Sequence, residues 1–259
     1  MEINEVVPAL AVGILLSYAL LKWALGLRAE AAYYLWVAME VGAWVFVAWA
    51  ALQLADMTSR AIAGMGVEAS WNALASKAPS LAALAEKVRD WIFWEAKAEA
   101  YLILSIILQP FASWLNAATS VPRFLMLISV AVVYGTYFVA EILRPYWPVL
   151  MTLGATLIAV PRLRSIGAPL YAFVLVYGPA LVVMSNAAGA ALASMPIPPP
   201  PNPFPFDLGR ILTAVQDMEK AGYAVYECAV RLMVGHAVAG ALSVAVSGAL
   251  GGPGIRLRV

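Results

Sequence analysis

The chain has 259 residues, of which 63% are hydrophobic and only 12% charged, with 16 Lys and Arg against 15 Asp and Glu. A soluble domain carries roughly a quarter charged residues, so this supply is too small to cover a water-facing surface, and a net charge of +1 excludes a global field that would gather nucleic acid or acidic partners. A single cysteine, Cys228, and a single histidine, His236, leave no internal disulfide, no thiolate cluster and no His-rich metal site.

Lipid is the solvent that fits this composition. A spanning helix needs about 20 mostly apolar residues, because a bilayer offers no partner to a bare backbone. The expected fold is all-α, a polytopic transmembrane helix bundle of about seven spans with an amphipathic extramembrane helical segment. Residues 1–55 form a two-span hairpin, from apolar runs at 6–27 and 31–54 joined by a turn around Arg28, Ala29 and Glu30. The acidic start, Met1 to Glu5, and the length of the first run mark it as a retained span rather than a leader.

Residues 56–99 mix polar and apolar positions. Leu81, Leu84, Val88 and Trp91 recur at helical spacing behind Ser80, a predicted N-cap. This segment reads as one or two amphipathic helices on the membrane surface or against the bundle, with Trp91 and Trp94 at headgroup level. Residues 100–194 read as four spans: 101–120 with a kink at Gln109-Pro110, 123–143, a short run at 146–160, and 168–192. Residues 195–207, MPIPPPPNPFPFD, cannot be helical and favour extended polyproline II, as a stiff spacer or as a ligand for a partner domain. Residues 208–259 read as a long helix running into a last, small-residue-rich span at 232–250. There Ala237, Ala241, Ala245 and Ala249 recur beside Ala239, Ser243 and Ser247, a smooth surface for close helix contact.

Charges inside apolar runs are the candidates for chemistry. Glu40 falls near the centre of its span, where an ionised carboxylate costs about 2.5–3.5 kcal/mol on insertion scales. Two readings stay open: a proton or cation site that lines a pore, or a structural ion pair with Lys22. Gln109, Asn116 and Asn186 read as interhelical hydrogen-bonding groups, and His236 as a packed, hydrogen-bonded histidine. No nucleotide loop, zinc-protease motif, nucleophile elbow or dinucleotide fingerprint occurs, so neither an enzyme nor a resident cofactor or metal is expected.

The most specific stretch is 153–181, LGATLIAVPRLRSIGAPLYAFVLVYGPAL. Pro161 ends a helix, Arg162 and Arg164 anchor a tight turn, Gly167 permits close approach, and Gly178-Pro179 weakens the second leg as a hinge. Either arginine would become a ring of charge in an oligomer, the plainer alternative being positive-inside anchoring. This order of helix, proline, arginines, Ile-Gly-Ala and aromatic-Gly-Pro resembles the polytopic membrane subunits of conjugation and type IV secretion systems, of the TrbL type and the crenarchaeal CedA type that exchanges DNA. The resemblance rests on residues 95–195, with Gly154, Pro161, Arg162, Gly167 and Pro179 as its motif positions. It implies a homo-oligomeric channel or scaffold in the cell membrane, with other membrane subunits, a separate cytoplasmic secretion-type ATPase and DNA as transient cargo. The alternative is a secondary transporter that uses Glu40 as its coupling site; a third reading is a structural membrane partner without a transported substrate. Basic residues of the short loops (Lys22, Arg28, Arg123, Arg162, Arg164, Arg256, Arg258) gather on one side, which predicts an outside N-terminus.

Overall fold

The computed structural model describes residues 3–104, 108–200 and 208–252. Eight helices are found among them: α1 (Ile3–Ala24), α2 (Arg28–Ala63), α3 (Val67–Lys77), α4 (Pro79–Leu104), α5 (Gln109–Leu143), α6 (Trp147–Ala159), α7 (Arg164–Ser194) and α8 (Leu208–Ala249). The latter part of the proline-rich run, 201–207, and Arg256 and Arg258 of the predicted orientation signal lie outside the described residues.

By length and composition four of these helices can cross a membrane: α2, α5, α7 and α8. Two further apolar stretches are shorter, Val12–Ala24 within α1 and the whole of α6. The 13 residues of α6 rise only ~20 Å, against a hydrocarbon core of about 30 Å. Seven spans are therefore not what the helix lengths provide. The apolar stretches keep large side chains outward, as lipid-facing helices do: Trp36, Met39 and Phe46 on α2, Phe124, Leu127 and Phe138 on α5.

The predicted spans 101–120 and 123–143 are cut differently. The chain leaves α4 at Leu104 and begins α5 at Gln109, so Pro110 sits in a first helical turn rather than at a mid-span kink. A first turn has no use for the N–H that proline lacks. From there α5 continues through Pro122 to Leu143, 35 residues without a break. Gly222 of α8 lies against the Pro122 ring, where a Cβ would come within 3.0 Å.

Two compact units partition the fold. The first gathers Met1–Asn72, Leu143–Ala180 and Ala237–Val259. In it α1, α2 and α6 pack mutually, and the α2 residues buried there are Ala31, Ala38, Val41 and Ala48, mostly alanines that let helices approach closely. Gly26 and Gly64 adopt left-handed conformations (φ 76° and 75°) that end α1 and α2. Tyr171 is buried and its hydroxyl donates to the Ala48 carbonyl at 3.1 Å. Tyr171→Phe is expected to cost about 1 kcal/mol, measured as a lowered thermal midpoint in detergent.

The second unit gathers Ala73–Ile142 and Leu181–His236. Of the two placements expected for the amphipathic segment, on the membrane surface or against the bundle, its helices take the second and are core. Leu74, Leu81, Leu84, Val88 and Trp91 of α3 and α4 have no exposed surface, and Trp94 keeps only 6%. The apolar stripe faces protein, and both tryptophans are enclosed rather than placed in a headgroup belt. Ser80 is the second residue of α4, behind Pro79. It is not an N-cap; its hydroxyl donates to the carbonyls of Lys77 and Ser185. The Trp91 indole donates to the Pro196 carbonyl at 3.0 Å, and Lys87 Nζ donates to the carbonyls of Leu192 and Met195. These bonds complement the C-terminal end of α7 and fix the start of the proline-rich run.

The helix α8 is 42 residues long. Its buried residues over the last turns are Ala239, Ser243 and Ser247, whereas Ala237, Ala241, Ala245 and Ala249 are exposed. Of the small-residue face expected to make close helix contact, within the subunit or between subunits, Ala239, Ser243 and Ser247 pack inside the chain and the alanine row faces outward.

Candidate functional site

In the first unit the 153–181 stretch is a hairpin of α6 and α7. Val160 precedes Pro161, which disfavours a helical conformation there, and Val160 is extended (φ −91°, ψ 113°). That ends α6. A Cβ on Gly154 would lie 2.8 Å from the Tyr171 amide nitrogen, and one on Gly167 would lie 2.7 Å from that of Ile158. Both glycines therefore set backbone-to-backbone packing of the two helices.

Arg164, at the first position of α7, joins three elements. Its Nε donates to the Ile158 carbonyl at 3.2 Å and its Nη2 pairs with Glu40 Oε1 at 3.4 Å. Its guanidinium lies 3.9 Å from the centre of the Trp44 ring, the geometry of a cation–π contact. Gly251, at φ +80°, passes against the arginine stem, where a Cβ would meet Cδ at 2.7 Å. The side chain keeps 15% exposure against 39% for Glu40. Arg164 is thus held inside its own chain, while Arg162 at the turn is exposed.

The Lys22–Glu40 pair does not form. Lys22 reaches Glu30 across the α1–α2 turn at 2.7 Å, and Glu40 takes Arg164. The turn places Glu30 beside the lysine, which a shorter side-chain path satisfies first. Because Glu40 is half-exposed, Glu40→Gln is expected to cost less than about 1 kcal/mol, whereas Arg164→Ala removes the stacking and the carbonyl bond as well and costs about 2 kcal/mol. Thermal unfolding in detergent compares the two.

At the hinge, α7 continues through Gly178-Pro179. Gly178 is filled from outside: a Cβ there would lie 2.4 Å from Trp71 Nε1. That indole donates to the Val174 carbonyl at 3.0 Å and stacks on Trp147 at 6.4 Å between centroids. The predicted pliable point is a wedged one.

The second unit contains a polar network whose members sequence reading did not join. Glu95 of α4 is 2% exposed. It accepts a hydrogen bond from the Thr119 hydroxyl and pairs with Arg123 Nη1 at 3.0 Å. Arg123 Nη2 donates to Asn116 Oδ1 at 3.2 Å, and Asn116 Nδ2 donates to Glu99 Oε1 at 3.0 Å. The signal was the spacing: Glu95 and Glu99 four apart on α4, Asn116, Thr119 and Arg123 three and then four apart on α5, each set on one helix face. Asn116 fulfils its expected interhelical role here. Burial drives the Glu95 carboxyl above the usual carboxylate range; the Thr119 bond and the Arg123 charge oppose this and Glu99 adds to it.

His236 lies 3.0 Å from the Thr136 hydroxyl, a packed, hydrogen-bonded imidazole. Asn186 is exposed, as is Gln109. Among the described residues no group of three or more His, Cys, Asp or Glu could hold a metal ion. Comparison with known proteins finds no matching family model, no matching curated protein and no matching solved structure.

Proposed function

We propose that the protein is a membrane-embedded, homo-oligomeric channel or scaffold subunit of a conjugation-like DNA-transfer apparatus that imports DNA, energised by a separate cytoplasmic ATPase. The observation that carries this reading is the α6–α7 hairpin. Gly154, Pro161 and Gly167, three positions on which the resemblance to conjugation subunits rests, each have a structural task there: two close approaches and one helix stop. Their spacing answers to geometry, which favours a shared design over chance similarity of common residue types.

Counting α1 with the four long helices and leaving the short α6 uncrossed gives five crossings. Lys22, Arg28 and Arg144 then share one side, the cytoplasmic side by the positive-inside rule, and the N-terminus lies outside. Arg162 is exposed at the α6–α7 turn and, repeated by symmetry, supplies a ring of positive charge. A DNA path of this kind carries few phosphate contacts, which suits cargo that must leave.

Purification in a mild detergent followed by native mass spectrometry tests the assembly. A closed ring of several copies, cross-linking to a secretion-type ATPase, is the expected result. A monomer with proton-coupled uptake lost on Glu40→Gln would favour a secondary transporter instead.

A further inference from the structure

Beside the Glu95 network, an open cleft of about 490 Å³ lies between the end of α4 and the start of α5. Glu99, Gln109, Ser113 and Asn116 supply its polar groups, and Ile103 and Ala117 its apolar wall. We propose that this cleft binds a primary ammonium or guanidinium group on a short aliphatic stem. This inference is independent of the DNA-transfer reading.

The charge balance selects a cation. Glu95 is matched by Arg123, whereas Glu99 has the Asn116 amide as its hydrogen-bond partner and no basic partner among the described residues. One carboxylate therefore faces the cleft with its charge uncompensated. Size and donor set select an organic cation over a metal ion. The volume lies in the range of small-molecule sites. Among the described residues no group of three or more His, Cys, Asp or Glu could hold a metal ion, and the cleft offers one carboxylate with two amides and a hydroxyl. An ammonium or guanidinium donates several N–H bonds, which Glu99, the Ser113 hydroxyl and the Gln109 carbonyl oxygen accept. Ile103 and Ala117 then cover the methylenes.

Ligand-observed NMR on the detergent-purified full chain tests this with n-butylammonium, ethylguanidinium and Nα-acetyl-lysine amide. The expected result is saturable binding of these cations, with butan-1-ol and tetramethylammonium bound at least tenfold more weakly. Glu99→Gln weakens the cations tenfold or more, and Ala117→Leu, a surface substitution that fills the cleft, does the same without touching the charge. Preference for the lysine amide assigns the group to a partner's side chain, and preference for the free amines assigns it to a soluble ligand. Butanol binding as well as butylammonium, displacement by equimolar sodium or calcium, or affinity unchanged in both variants would overturn the proposal.

Discussion

Replacing Gly178 by alanine lowers the stability of the protein by about 3 kcal/mol. The new methyl has no room, because its Cβ would stand 2.4 Å from the Trp71 indole nitrogen. Overpacking of this kind costs about 1–3 kcal/mol. Displacing the indole also forfeits its bond to the Val174 carbonyl, about 1 kcal/mol net, and its stack on Trp147. The clash is with one side chain, so it is relieved when that side chain is removed. In a Trp71→Ala background, Gly178→Ala is expected to cost under about 0.5 kcal/mol, a coupling typical of residues in contact. Thermal or denaturant unfolding in detergent of the four proteins in this cycle measures it. Equal cost in both backgrounds would show that the glycine is needed for helix flexibility, not for space.

Arg123→Ala carries the second large effect. It leaves the buried Glu95 carboxylate without its counter-charge, and removing one partner of a buried pair costs about 3–5 kcal/mol. Arg123 keeps a third of its side chain exposed, which places the expected loss near the lower figure, about 3 kcal/mol. The loss depends on pH. Because the folded protein holds the Glu95 proton where the unfolded chain has released it, stability from this group is fully present at pH below the usual carboxylate range. It is lost as pH rises through the interval between that range and the raised folded value. Removing Arg123 withdraws an influence that lowers the value, so the interval widens and the variant loses more on going from acid to neutral pH. Glu95→Gln has no proton to release and flattens this part of the profile. Unfolding midpoints from about pH 4 to pH 8, spanning the carboxylate range and above, distinguish the three proteins.

Helix type and most helix positions were legible in the apolar runs, because lipid leaves a backbone only helices or a closed barrel, and runs of about 20 apolar residues suit the helix. Pro161 and Gly167 announced the hairpin turn directly, since each acts through local backbone geometry. Boundaries failed where tertiary packing overrode local signals. Pro122 looks like a break in the sequence, yet α5 passes through it where Gly222 makes room. The stripe of Leu81, Leu84, Val88 and Trp91 specified an amphipathic helix, but amphipathicity alone does not say whether lipid headgroups or protein cover the apolar face. Ion pairs were the least legible. Glu40 finds a partner 124 residues away, and Glu95 finds Arg123 across a helix boundary that the sequence placed elsewhere. Periodicity identifies the face on which a charge stands, whereas its partner depends on which helices meet.

DNA transfer into cells that lack this protein tests the central reading most directly. Marker exchange from donor cells should fall to background without it and return with the wild-type chain. It should not return with Gly154→Leu, which forces α6 from α7 where a Cβ already meets the Tyr171 backbone at 2.8 Å. Marker exchange undiminished in the cells that lack the protein would contradict the account.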